Sequence, residues 1–88
     1  MEYGCHFETE FLEELKKLDK PVKLAVEKKV HQILQKPEHF DFLHKEKGVR
    51  KARVGRWRIL FRIEGKIVKF YRIGKRDVVY RQLDGLAV

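Results

Sequence analysis

The chain contains no serine and a single cysteine, Cys5, and these two scarcities remove whole classes of chemistry. Serine-based acyl transfer is excluded outright. An internal disulfide needs a second thiol, so Cys5 reads as a small strand residue and not as half of a bridge. No Cys or His pair has zinc-ligand spacing, so no metal and no other cofactor is expected. A glycine-rich phosphate loop is also missing, because Gly74-Lys75-Arg76 lacks the spacing such a loop requires. No apolar run approaches the roughly 18 residues of a membrane span, and the N-terminus lacks the basic-then-apolar pattern of a signal peptide. A cytoplasmic location is the resulting expectation. Proline occurs only at Pro21 and Pro37, where it starts one helix and stops it again.

What the chain has in abundance is positive charge, unevenly placed. The 88 residues suit a single domain spanning positions 1–88, small enough that a partner adding buried area would stabilise it. From Met1 to His44 there are 7 Lys/Arg against 9 Asp/Glu, and from Lys45 to Val88 there are 14 against 4. The whole excess of +8 therefore lies in the second half. Such asymmetry predicts a polyanion-binding surface, with nucleic acid ahead of acidic lipid because no amphipathic membrane-surface segment accompanies it.

Periodicity divides the chain in the same place. Tyr3 to Phe7 predicts a short opening strand. Thr9 offers an N-cap oxygen to a first helix carrying Phe11, Leu12, Leu15 and Leu18 at helical spacing. After Asp19-Lys20-Pro21 a second helix places Val22, Val26, Val30, Ile33 and Leu34 on one face, and Pro37 ends it. The stretch to Lys47 has no strong periodicity. From Val49 the period becomes two, predicting antiparallel strands near Val49–Val54, Arg56–Ile63 and Lys66–Ile73, with turns at Gly55 and Glu64-Gly65. Trp57, Ile59, Phe61 and Ile63 share one strand face, which suits packing of the helices, and Arg56, Arg58 and Arg62 share the other with Leu60. The fold class is α+β: an N-terminal strand and an antiparallel helical hairpin packed on an antiparallel β-sheet.

Cations dominate the candidate chemistry. Lys51 and Arg53 lie two apart on one strand and point the same way, Arg58 lies on the next strand, and Arg76 follows the last. Neighbouring strands are about 4.8 Å apart, so these four can converge on one phosphate, with Tyr80 within reach. RNA is cut without metal when its own 2′-hydroxyl attacks the adjacent phosphate, and preorganised Arg and Lys donors stabilise the charge that develops. Proton transfer is harder for this set, since a guanidinium is a poor acid at neutral pH, so Lys51 or Tyr80 would need a lowered pKa. His6 and His31 are expected near the core, and His39 and His44 in the connection, away from the site.

The run Arg50-Lys51-Ala52-Arg53-Val54-Gly55-Arg56-Trp57-Arg58-Ile59-Leu60-Phe61, followed by Tyr71-Arg72-Ile73-Gly74-Lys75-Arg76 and Tyr80, resembles the strand core of the RelE/ParE toxin superfamily. The order of elements is similar too. The resemblance implies a toxin of a type II toxin-antitoxin system. RelE-type members are endoribonucleases that cleave messenger RNA in the ribosomal decoding site and inhibit translation, whereas ParE-type members inhibit gyrase. By resemblance, Lys51 and Arg53 match the paired basic positions at the scissile phosphate, with Arg53 where the better-studied pattern has Lys. Arg58 matches the transition-state arginine, Arg76 the arginine assigned to leaving-group protonation, and Tyr80 the tyrosine that stacks on or orients the substrate. Lys45, Lys47, Arg50, Arg56 and Lys75 are expected to add RNA contacts.

Three functions stay open on the sequence: a ribosome-dependent messenger RNA endoribonuclease, a gyrase-inhibiting toxin, and a nucleic-acid binder without catalysis. The resemblance also implies a RelB-like antitoxin. It would be an extended partner with an amphipathic helix that docks between the helical hairpin and the sheet or displaces the segment around Val78 to Leu83.

Overall fold

Glu8 shows how the sheet sets the helix start. Its backbone N–H donates to the carbonyl of Phe70 at 3.0 Å, which holds Glu8 extended (φ −67°, ψ 154°) as the last paired residue after strand β1, Gly4–Phe7. Helix α1, Thr9–Lys16, therefore begins at Thr9 itself. Glu8 and not Thr9 is the N-cap, and no side chain caps this end. The computed structural model describes residues 3–81, apart from the side chains of Arg76, Tyr80 and Arg81.

Helix α2, Lys20–Gln35, follows with Pro21 in its first turn, and Pro37 opens a short 3₁₀ turn, Pro37–His39, that ends it. Its buried residues are Val26, Val30 and Ile33, the spacing read from the sequence. Phe11 of α1 is buried with them, while Leu12 is 43% exposed and lies off the stripe. Both helices cover the same face of the sheet, because Phe11, Val26, Val30 and Ile33 share one core with Ala52, Ile59, Phe61, Val68, Phe70 and Ile73. His6 and His31 are both exposed, against expectation. His6 lies on an edge strand and pairs with Glu8 at 3.0 Å, and His31 lies off the buried stripe of α2.

The strands are β2 (Phe42–His44), β3 (Val49–Val54), β4 (Trp57–Glu64) and β5 (Ile67–Lys75), in the spatial order β1-β5-β4-β3-β2. The last three agree with the expected strands to within two residues. Two features differ from the expectation. The sheet is mixed, since β1 runs parallel to β5, with Gly4 opposite Ile67 and Phe7 opposite Phe70. The aperiodic connection contains β2, a strand too short for alternation to register. One residue is also inserted in β5: Leu60 pairs with Arg72 and Phe61 with Phe70, which leaves Tyr71 as a bulge.

The other face is not wholly cationic. Helix α3, Arg76–Arg81, folds back so that Val79 is buried with Val49 and Leu60 in a second cluster. Gly74 permits this approach, because a Cβ there would lie 2.8 Å from Cγ1 of Val79. Gly74→Ala is expected to push α3 off the sheet at a cost of about 1–3 kcal/mol. A lowered melting temperature with faster proteolysis within α3 would show it, and an unchanged melt would mean that α3 does not hold this face.

Candidate active site

Alternation along β3 puts Lys51 and Arg53 on the side of Val49, and along β4 it puts Arg58 on the side of Leu60. This is the face away from α1 and α2. The register completes the grouping: Lys51 lies opposite Leu60, and Arg53 lies directly opposite Arg58. Like charges directly opposed on an antiparallel pair are destabilising. Among the described residues no carboxylate forms an ion pair with either arginine. Arg58 is half-buried, and its Nη1 donates to the carbonyls of Gly55 at 3.2 Å and Trp57 at 3.1 Å. The tight turn that anchors it depends on Gly55, whose φ is 58°.

The edge of β3 supplies the rest. β2 pairs with β3 only at Phe42–Arg50 and His44–Val49, and the N–H of Lys51 donates to the carbonyl of Asp41 at 3.0 Å. From Ala52 onward no strand among the described residues pairs with that edge, and a cleft of about 410 Å³ opens there. Lys51, Arg53 and Arg58 line it together with Lys29 of α2, His39 and Asp41. Four cations thus face one carboxylate, an arrangement that favours a phosphate-bearing ligand.

Sequence reading missed Lys29 and His39. Lys29 reaches the cleft only because α2 lies across β3, which no local pattern encodes. His39 was set aside with the aperiodic connection, yet the stop at Pro37 turns that connection back along the open edge of β3.

The remaining predicted residues divide by position. Arg56 is exposed in the β3–β4 turn, and Lys75 is exposed at the end of β5, its Nζ 6.0 Å from the centroid of Trp57. Both sit at the end of the sheet that carries Arg53 and Arg58. The backbone of Arg76 begins α3 there, directly after Lys75, while the side chains of Arg76 and Tyr80 lie outside the described residues, as do Gln82 and Leu83. Lys45 and Lys47 occupy the β2–β3 turn at the opposite end of β3, where the N–H of Lys47 donates to Nδ1 of His44 at 3.2 Å. Arg50 lies on the helix side of β3. It donates to the carbonyls of Phe40 at 2.7 Å and Glu38 at 3.2 Å, with its guanidinium 3.9 Å above the Phe42 ring, so it ties the connection to the sheet.

A second charged group lies elsewhere on the sheet and has its own acid. Lys69 Nζ is 3.0 Å from Oε1 of Glu64, the Tyr71 hydroxyl donates to Oε2 of Glu64 at 3.4 Å, and Arg62 lies 5.9 Å from the Tyr71 ring centroid. The hydrogen bond from Lys69 holds the Glu64 carboxyl below its ordinary value of 4.5, and burial pushes the Tyr71 phenol up. A lowered carboxyl pKa contributes stability above its unfolded value and loses it as pH falls through the folded value. Glu64→Gln is therefore expected to remove a small part of the acid-side decline in melts taken from about pH 6 to about pH 3. An acid limb unchanged by the substitution would count against this coupling.

Comparison with known proteins gives a consistent picture. The family model described as "ParE toxin of type II toxin-antitoxin system, parDE" matches residues 6–80. The toxin-antitoxin complex RelBE2 from Mycobacterium tuberculosis contains a chain of similar structure with TM-score 0.76 and 27% identity, covering 86% of this chain and 100% of that one. A doubly substituted RelE toxin of E. coli in the free state has TM-score 0.85 and 21% identity over 100% of both chains, a likeness of fold. The intact E. coli RelBE complex has TM-score 0.72 and 25% identity, with 83% of this chain and 95% of that one covered. No curated protein sequence matches.

Proposed function

The chain belongs to the ParE toxin family of type II toxin-antitoxin systems, within the RelE/ParE superfamily, and we propose that it acts as a ribosome-dependent endoribonuclease on messenger RNA. The observation that carries this reading is the meeting of Lys51, Arg53 and Arg58 in one cleft, with Arg53 and Arg58 directly opposed and, among the described residues, without a carboxylate partner. A scissile phosphate relieves that repulsion. Lys51 and Arg53 hold its oxygens while the 2′-hydroxyl attacks phosphorus, and Arg58 neutralises charge that grows in the transition state. The 2′-hydroxyl gives its proton to a proton acceptor in the cleft, the P–O5′ bond breaks and the 5′-oxygen takes up a proton, leaving a 2′,3′-cyclic phosphate and a 5′-hydroxyl. Arg76 and Tyr80 act from α3 on the leaving group and the base.

His39 adds to the cleft an imidazole, the side-chain type suited to carrying a proton near neutral pH. His39→Gln is expected to slow the chemical step by about a hundredfold if it moves that proton. A single-turnover rate within about twofold of the parent would remove it from the mechanism.

So small a chain has little surface for selecting an RNA alone, so the ribosome supplies both substrate and position, and free RNA is cut poorly. Primer extension on messenger RNA in a purified translation mixture is the test. New 5′ ends at codon spacing are expected, and their absence with protein bound to ribosomes would end this reading. The ParE description of the matching family model favours a second reading, inhibition of gyrase. Loss of supercoiling by purified gyrase would establish it.

The similar RelBE structures are toxin-antitoxin complexes, which supports a RelB-like antitoxin as partner. An apolar groove of about 390 Å³ between β1 and the two helices, where Phe7, Leu12, Leu15 and Leu34 are accessible, suits an amphipathic helix. Co-purification with the product of the adjacent reading frame should raise the melting temperature and suppress cleavage.

A further inference from the structure

Trp57 opens β4, packs one side against the rim of the helix-face core, and remains half-buried. Its accessible part lines a third pocket, of about 350 Å³, at the end of the sheet where α1 finishes and α3 begins. Leu18 and Val78 extend the apolar lining, and Lys17 and Lys75 complete it. Val78 is 39% exposed, a large apolar side chain left open at this point.

The one carboxylate in the lining is already occupied. Oε1 of Glu14 accepts from the N–H of Ile73 at 2.8 Å, and Oε2 accepts from Arg72 at 3.0 Å. Glu14 therefore neither neutralises the two lysines nor repels an anion. Among the described residues Lys17 and Lys75 form no ion pair. The pocket thus combines an indole, an apolar floor and two ammonium groups without a carboxylate partner among the described residues, that of Lys75 lying 6.0 Å from the indole centroid. An unpaired nucleobase with its phosphate needs this combination: stacking on the ring and a cation for the charge.

The pocket and the cleft described above share no lining residue but meet the same end of the β3–β4–β5 sheet. Trp57 pairs with Lys75, and the next pair along the ladder is Arg58 with Gly74. Trp57 and Arg58 are successive residues of β4, so their side chains leave the strand on opposite faces, and the aromatic position lies around the end of the sheet from the arginine that faces the scissile phosphate. A chain passing around this end of the sheet meets cations throughout, from Lys51, Arg53 and Arg58 to Arg56, Lys75 and Lys17. That charge pattern favours a nucleic-acid strand over an apolar peptide segment, which would use the floor and leave the lysines unmatched.

We propose that the Trp57 pocket is a base-binding subsite for the substrate RNA, taking one unstacked nucleobase where the strand passes around the end of the sheet from the scissile phosphate, with Lys17 and Lys75 on the adjoining backbone. The inference rests on the ribonuclease reading and adds a position at which base identity is sensed. Shape and stacking, with few hydrogen-bond donors, make the preference one of base size more than of base-pairing edge.

Trp57 is the only tryptophan of the chain, so its emission reports on this pocket directly. The probe is a short, fully 2′-O-methylated RNA, which binds without being cut, titrated into the whole protein at low salt. Saturable quenching is expected. Lys17→Ala combined with Lys75→Ala should weaken binding at least tenfold, Trp57→Leu should do the same, and Trp57→Phe should keep most of the affinity. The two lysine changes are on exposed side chains, so they decide the matter even if Trp57→Leu unfolds. Binding of end-labelled RNA with no change in emission, or with equal affinity for the double lysine variant, would overturn the proposal. So would quenching by an acidic amphipathic peptide but not by RNA, and so would no RNA binding at all. Cleavage on ribosomes is scored separately: quenching without cleavage removes the ribonuclease reading, and cleavage without quenching removes only this subsite.

Discussion

Arg58→Ala is expected to slow single-turnover cleavage of ribosome-bound messenger RNA by about a hundredfold or more, with a smaller effect on binding. The size follows from geometry. Arg58 is half-buried, fixed by two carbonyls of its own turn, and placed opposite Arg53, so it is aimed before substrate arrives. Arg58→Lys keeps the charge but loses the planar fork and is expected to recover only part of the rate. Because the alanine variant also loses the contacts with Gly55 and Trp57, a thermal melt must accompany the rate. Arg62→Ala and Lys69→Ala are the controls, since both residues belong to the Glu64–Tyr71 group. If either damages the chemical step as much as Arg58→Ala, the site has been placed on the wrong part of the sheet.

Phe70→Ala is expected to cost about 3–5 kcal/mol of stability, as for other large aromatic truncations in a core. The Phe70 ring is fully buried, with centroids of Phe7 at 5.0 Å, Phe11 at 5.5 Å and Phe61 at 5.9 Å. One side chain thus joins the first strand, the first helix and the central strand. Against a total of roughly 5–15 kcal/mol for a folded domain, with small domains towards the lower end, the variant should be largely unfolded or melt far below the parent. Leu24→Ala, at a residue 55% exposed, should change stability by no more than about 0.5 kcal/mol. A urea titration of both variants tests the contrast, and a loss below about 1 kcal/mol for Phe70→Ala would mean that the aromatic group does not organise the core.

Legibility followed the range of the interactions involved. The apolar stripe of α2 and the alternation of β3, β4 and β5 are local patterns, and they appear in the sequence as they do in the fold. Lys51, Arg53 and Arg58 were readable together because their grouping depends on alternation and on a hairpin turn marked by Gly55. What escaped depends on distant partners. The parallel pairing of β1 with β5, the bulge at Tyr71, and the presence of Lys29 and His39 in the cleft follow from how separate elements meet. Helix α3 escaped because Val78 and Val79 look equally suited to a strand, and only the clearance above Gly74 shows where the chain turns.

The place of β1 in the sheet also bears on when the protein can exist. Its partner is β5, the last strand among the described residues, with Gly4 against Ile67 and Phe7 stacked on Phe70. A growing chain leaves the ribosome with α1 and α2 able to form early, and α2 can meet the β3–β4 hairpin, but Phe11 of α1 has no strand to cover until β5 has emerged. Closing so long a loop is slow compared with making a helix, and its entropy cost is met before the contacts that offset it are made. The nascent polypeptide consequently lacks its aromatic centre until Phe70 has emerged. A protein whose proposed target is the ribosome is thus assembled only after β5 has left the ribosome making it.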